Sequence, residues 1–435
     1  PTLIATNTIL EELSSADTPL TISFGSMDRN FRDGVFINEL EIGYEGESVA
    51  SFDRVTVHMG LFSLLRYAAF GTGDLEVEAE GGTITIPEGM GGGSAGASAP
   101  SSFSLPPVLD NYSITLYVHD TDASIMEAAK LSDIEARITL DHGIDGLMGE
   151  VKASTIAFSG SGIDGSAEGA ALSFSYDDGI NADLSISSAA ASYDGYEGTA
   201  GKISASAFIP LSFDLKDAEA LVSAEDISAT GEEGWAKVSA LSASYKENLI
   251  SASIDGASAS ILGIDATIAH AEAATADADD IKLVIEGIDA SRGGVTLLSS
   301  DMLDLNISIG ERSISIASES ADTGLISEGT DIFPLVSLGS LRADATLSDD
   351  GIRFSALTSA VFSSEEEEFS GTALDLRLSG LIRDGKADDV SIEISDLRLP
   401  GVDESARLSF SYEDGALSFS GRYGRYLSVL GSYNG

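Results

Sequence analysis

Apolar and polar side chains alternate along most of this chain, and a period of two predicts strands with one wet face and one apolar face. In the stretch 34–65, Phe36, Leu40, Ile42 and Tyr44 share one parity, which Asn38 interrupts. Val55, Val57 and Met59 share the next, while Arg54, Thr56 and His58 face the other way. Leu75, Val77 and Ala79 oppose Glu76, Glu78 and Glu80, and Ile84 and Ile86 follow Gly81-Gly82. Three glutamates on one face have to be solvated. Beyond residue 111, Tyr112, Ile114, Leu116 and Val118 alternate with Ser113, Thr115, Tyr117 and His119, and Ile134, Ala136, Ile138 and Leu140 with Glu135, Arg137, Thr139 and Asp141. Runs at 171–179, 201–214, 304–310, 341–351, 373–380, 389–401 and 406–421 continue the pattern. Asp-Gly pairs at Asp178-Gly179, Asp194-Gly195, Asp255-Gly256, Asp350-Gly351, Asp384-Gly385 and Asp414-Gly415 supply the positive φ angles of two-residue hairpin turns. LSFSYDDG at 172–179 returns as LSFSYEDG at 408–415, a loose repeat of strand, turn and strand.

A few segments depart from the alternation. Leu3, Ile4, Ile9, Leu10 and Leu13 fall at helical spacing before Pro19, which predicts a short N-terminal helix. That helix either leads out of a bilayer or caps the end of a sheet. Residues 20–25 read as a first strand, and 61–69 (LFSLLRYAA) as a half-buried helical turn or an interfacial stretch. Residues 88–107 have the Gly, Ser and Pro content of a surface loop. Glu365–Glu368 is a charge run that only a solvated loop accommodates.

So many one-sided strands cannot stay flat, because open sheets beyond about ten strands curl, split or pack on themselves. Sandwich series, β-solenoid, outer-membrane barrel and rolled trough compete. Variable spacing and hairpin signals favour antiparallel meanders over solenoid coils. With 7% aromatic residues, the girdles of a membrane barrel are missing. The expected fold is all-β: a long antiparallel, strongly curled, repetitive sheet forming an open, taco-like trough with a short N-terminal helix. Residues 1–87 would hold the helix and first strands, 88–107 the loop, and 108–435 the repetitive trough. Some 25 strands spaced at about 4.8 Å would extend on the order of 120 Å.

The charge narrows what such a trough can meet. Against 23 basic residues stand 71 acidic ones, for a net charge of −48. That excludes nucleic acid, which is bound through Lys and Arg, and tight docking on anionic headgroups. It supplies the solubility that extensive apolar surface demands. At 43% hydrophobic content the chain is not compositionally disordered. Cysteine is absent, so there is no disulfide framework or thiolate metal site. No run of 18 apolar residues exists, and a first residue of Pro points to a natural start, with a signal or anchor, lying upstream.

Catalytic chemistry finds no foothold. Gly91, Gly93 and Gly96 satisfy GxGxxG, and Gly92, Ser94 and Gly96 satisfy GxSxG, but neither has its strand–turn–helix context. His58, His119, His142 and His270 are scattered and read as polar-face or turn residues. Asp277, Asp279 and Asp280 read as an acidic turn, no EF-hand loop occurs, and Trp235 reads as a packing residue. The expectation is a non-enzyme with no cofactor and no metal.

The opening residues resemble the AsmA-like family, and especially its TamB (translocation and assembly module) members. The matching positions are Gly34, Val35, Phe36, Leu40 and Ile42, then Val55, Val57, Ser63, Leu64 and Leu65, then Leu75, Val77, Ile84 and Ile86. Downstream, 111–421 resembles the family's Ser/Gly/Asp-rich alternating strands. The resemblance implies a periplasmic protein anchored in the inner membrane through an N-terminal segment. Its sheet would line a channel for phospholipid moving towards the outer membrane, and its C-terminal region would meet an outer-membrane barrel protein and assist outer-membrane assembly. Neither the anchor nor that C-terminal region is recognisable here, so the chain reads as an N-terminal or middle piece.

The expected function is a lipid-binding groove carrying phospholipid or another amphiphile between the two membranes. The alternative is a structural or adhesive β-solenoid or sandwich array at a bacterial surface; a carbohydrate-active solenoid lacks clustered acids. The candidate lipid-facing residues are Ile114, Leu116, Val118, Ile134, Ile138, Leu140, Leu172, Phe174, Ile203, Ile209, Leu211, Leu305, Ile307, Ile309, Leu374, Leu376 and Leu378.

Overall fold

The computed structural model describes residues 20–434 except 31–33, 45–46, 87–111, 127, 142–145, 178, 213–214, 276–279, 324–334, 349, 364–370, 384–385, 399–400, 402, 414–415 and 426. The helix expected at 1–18, the loop at 88–107 and the Glu365–Glu368 run lie outside these. The fold is all-β, with 29 strands and one α-helix among the described residues. Two compact units divide the chain, Pro1–Ile227 and Ser228–Gly435.

In the first unit β1 (Leu20–Ser23) and β2 (Ser26–Asn30) both pair with β3 (Gly34–Tyr44), followed by β4 (Glu47–His58) and β5 (Gly73–Ile86). After β6 (Tyr112–Ile125), β7 (Ala129–Asp141), β8 (Met148–Gly160) and β9 (Ile163–Tyr176), the ladder splits. One half of β9 pairs with β10 (Gly179–Ile186), which continues to β13 (Ile203–Pro210) and β14 (Glu219–Gly231). Its other half pairs with β11 (Ser188–Tyr193), which continues to β12 (Tyr196–Ala200). Among the described residues the registered pairs named here are antiparallel, save that β5 and β6 run parallel.

In the second unit the order starts with β15 (Gly234–Lys246), β16 (Leu249–Ile261), β17 (Ile264–Thr275), β18 (Asp280–Arg292) and β19 (Val295–Ser308). β20 (Ser313–Ser318) and β21 (Ala321–Thr323) share β19, and β22 (Leu335–Leu338) and β23 (Leu341–Ser348) share β24 (Gly351–Ser363). β25 (Gly371–Arg383), β26 (Lys386–Arg398), β27 (Ala406–Glu413), β28 (Ala416–Tyr423) and β29 (Leu427–Asn434) complete it.

Most long strands carry a crease near their middle. The register skips one residue on each strand: Val238 pairs with Ala257 and Ala240 with Asp255, leaving Ser239 and Gly256 unpaired. The skip recurs at Gly256/Ala269 and at Ala269/Gly287. In the first unit it falls at Glu39/Asp53, Asp53/Gly81, Asp133/Ser154 and Ser154/Gly169. A member of each such pair adopts a left-handed backbone, including Glu39 (φ 54), Asp133 (φ 52), Gly169 (φ 61), Gly256 (φ 60) and Gly287 (φ 61). Such bulges bend a strand sharply, and Gly or a short acid tolerates the conformation best.

Hydroxyls occupy the backbone groups that the skip releases. Ser239 Oγ donates to the Gly256 carbonyl at 3.2 Å and Thr121 Oγ1 to the His119 carbonyl at 3.0 Å. Buried Ser300 Oγ lies 3.0 and 2.8 Å from the Met302 and Ser320 carbonyls, and Ser318 Oγ reaches the same two at 2.9 and 2.8 Å.

The crease inverts side-chain parity, which corrects two sequence expectations. Phe36 is not on the face of Leu40 and Ile42: before the left-handed Glu39 the buried residues are Val35 and Ile37, and Phe36 lies outside beneath the Arg54 guanidinium, 4.5 Å from its ring centroid. Asp255-Gly256 is not a hairpin turn but the crease of β16. Asp194-Gly195 does form the expected turn, both residues with positive φ (47 and 82).

The helix α1 (Leu61–Phe70) ends at left-handed Gly71, whose N–H donates to the Tyr67 carbonyl at 2.9 Å. Leu64 and Tyr67 pack on the cluster of Val35, Ile37, Val55, Val57, Met59, Leu75, Ala79 and Tyr112. Ser63 Oγ donates to Asp74 Oδ2 at 2.6 Å and locks the helix to β5. Burial pushes the Tyr112 phenol far up, and a hydrogen bond with Tyr67, stacked on it at 5.9 Å, adds to this. Each large apolar side chain sealed here contributes about 1.5–3 kcal/mol.

Candidate functional site

Directly paired residues point to the same side of a sheet, so the registers trace rows across strands. One row in the first unit runs Val35, Val57, Val77, Leu116, Ile138, Gly149, Phe174, Ala182, Ala207, Ala220. Its neighbour runs Ile37, Val55, Ala79, Val118, Ala136, Val151, Leu172, Leu184, Ala205, Val222. In the second unit a row runs Leu305, Ile316, Ala343, Ala356, Leu378, Ile392, Phe410, Phe419, Gly431. None of these residues is charged.

Away from the cluster under α1, where Val35, Leu75 and Tyr112 stay buried at the strand ends, burial falls with distance from the crease. Beside it sit Ile134, Ala153, Ala167, Ala170, Ala271, Ala360 and Ala373, all buried, while the crease residues themselves face water on the convex side. Along β19, Leu303 is 8% exposed, Leu305 and Ile307 are half-buried, and Ile309 just past the strand is 55% exposed. Small residues at the apex let the two limbs of a strand close, and large ones stand open at the rim. Each unit is thus a gutter, apolar inside.

Large rings on this face are laid flat. Phe52, Phe158, Phe174, Phe354 and Phe419 each place ring atoms where a Cβ on the paired Gly82, Gly165, Gly149, Gly380 and Gly431 would stand. A ring lying over a cross-strand glycine covers backbone and adds no height.

Most charges lie on the outer face; Arg29, paired with Val35, and Arg292, paired with Ile264, stand at the ends of inner rows. Glu76 pairs with His58 and His119 approaches Glu78 at 3.9 Å, so two of the three solvated glutamates also have cross-strand charge partners. His270 Nδ1 is 2.6 Å from Asp255, and that hydrogen bond lifts its pKa above the ordinary 6.5. Serine pairs line the same face, among them Ser204–Ser223 at 2.6 Å and Ser242–Ser253 at 2.8 Å. A depression of about 450 Å³ between Glu150, Ser173, Asp183 and Ser206 also belongs to this polar side. Among the described residues no three His, Asp or Glu side chains converge to hold a metal. Asp277 and Asp279 lie outside these.

Compared with family models, curated proteins and solved structures, the chain finds no match. Its site is therefore argued from its own geometry.

Ile114, Leu116, Val118, Ile134, Ile138, Leu140, Leu172, Phe174, Ile203 and Ile209 share the inner face of the first unit. Leu305, Ile307, Leu376 and Leu378 share that of the second. Two expected residues are not on a strand face. Leu211 follows the end of β13 at Pro210 and Ile309 the end of β19 at Ser308, both exposed in turns because the strands stop sooner than their alternation. The Leu374 side chain lies outside the described residues. The second limb was not foreseen: Ala257, Ala259 and Ile261 carry the inner face of β16 after the crease, where Ile250, Ala252 and Ile254 carry it before. The slip of parity at Asp-Gly is the signal that marks it.

Proposed function

We propose that the inner faces bind the acyl chains of phospholipid and let them pass from strand to strand, without catalysis. One observation carries this reading: an uncharged apolar floor that is buried at its crease and open at its rim. Beyond the four strands whose residues pack in or on the cluster under α1, six strands at about 4.8 Å make a row of about 24 Å, still longer than the roughly 15 Å of acyl chain in one leaflet. Each methylene transferred from water to such a floor contributes about 0.8 kcal/mol. Between the row ends, where Arg29 and Arg292 stand, a headgroup finds no charged partner and stays at the mouth, in water.

Together with the resemblance to AsmA-like proteins, the same reading puts the protein in the periplasm, held to the inner membrane and acting towards the outer one. An outer-membrane barrel protein would be its partner in assembly. The acidic exterior keeps so much apolar surface in solution. Organic extraction of gently purified full chain, followed by mass spectrometry, should recover phospholipid or the detergent that replaced it. A chain that comes through purification and vesicle exposure with no amphiphile overturns the reading.

A further inference from the structure

Resting on the acyl-chain reading, we propose that the flattened Phe–Gly pairs set the depth of the gutter and restrict it to straight, unbranched hydrocarbon. Gly149 and Gly431 are not among the glycines with positive φ, so their backbone does not demand glycine. What demands it is first the ring: a Cβ on Gly149 would stand 2.6 Å from Phe174 Cζ, and the three atoms nearest a Cβ on Gly431 all belong to the Phe419 ring. Across β8, β9, β10 and β13 the row then reads Gly149, flattened Phe174, Ala182, Ala207, a low strip beside the taller neighbouring row of Val151, Leu172 and Leu184. Facing sheets are separated by about 10 Å and an upright side chain fills about half of that. A straight acyl chain fits the height left over a low floor; a methyl-branched chain is thicker wherever it carries a branch.

The test uses the full chain with phosphatidylcholine vesicles carrying a photoactivatable acyl chain, straight or methyl-branched, and maps the labelled peptides by mass spectrometry. The straight probe should label the β8–β10 segment at least about fivefold more than the branched one. Gly149→Val, which lifts the Phe174 ring, should cut that labelling about fivefold and leave labelling near Phe419 unchanged. Phe174→Ala should bring the branched probe up to the straight one, and decides the matter if Gly149→Val loses its β-sheet circular dichroism. Equal labelling by both probes in the unaltered chain, or unchanged labelling in folded variants, overturns the assignment of the rings while the gutter stands. Labelling of no inner-face residue at all sinks the acyl-chain reading itself.

Discussion

Replacing Gly256 by valine tests the crease on which the gutter depends. Gly256 sits at φ 60 in the middle of β16, a region that costs an L-residue about 1–2 kcal/mol, with β-branched side chains at the upper end. The new Cβ would stand 2.7 Å from Ser239 Oγ, which must turn away from the Gly256 carbonyl it now bonds at 3.2 Å. Losing that bond at an exposed site adds about 0.5–1 kcal/mol, for about 2–3 kcal/mol in all. Each kcal/mol shifts the melting of a unit of some 200 residues by about 2–4 °C, so calorimetry of the full chain should show a fall of about 5–10 °C. Gly256→Asn should cost no more than about 1 kcal/mol, because Asn enters the left-handed region readily. Thr267→Val, outward on the neighbouring β17, should stay within about 0.5 kcal/mol. Valine and asparagine variants melting together with the parent would mean that position 256 is plain extended strand, and the crease would be lost with it.

Three other outcomes are expected. Leu376→Asp places a carboxylate on a half-buried inner position between Thr358 and Ile394; water still reaches it, so the fold should survive a loss of about 1–2 kcal/mol while the lipid recovered falls several-fold. Unchanged lipid content in the folded variant would refute that position. His270 should titrate above 6.5 by NMR, raised first by its hydrogen bond to Asp255 and further by Glu286 and Glu272, and Asp255→Asn should lower it. With the folded value raised, its stabilising contribution is full below pH 6.5 and is lost as pH climbs through that raised value; titration at or under 6.5 contradicts the pairing. Ser300→Ala alone should cost about 1 kcal/mol, since the single Ser318 hydroxyl proton can still go to either the Met302 or the Ser320 carbonyl. The double Ser300→Ala/Ser318→Ala variant should exceed the sum of the singles by about 1 kcal/mol or more in urea denaturation, and plain additivity would argue against the shared pair.

Period-two alternation was enough to read an all-β chain and, within one limb, the face each side chain takes, because neighbouring side chains of a strand point opposite ways whatever the surroundings. Ile114, Leu116 and Val118, or Leu376 and Leu378, needed no more than that. The pattern did not mark out β15–β18, where Asp255-Gly256 read as a turn. Alternation says nothing of strands that end before it does, as at Leu211 and Ile309. Nor does it show that β5 and β6 lie parallel, since pairing direction is set by where a connection returns the chain.

The crease belongs to tertiary structure. Asp-Gly supplies positive φ equally to a hairpin and to a bulge, and its local energy is nearly the same in both. Pairing on both sides made Asp194-Gly195 a turn and Asp255-Gly256 a bend within a continuing ladder. From the sequence came the greasy faces; only the stacked bends, each matched by a skipped residue next door, turned those faces toward one another.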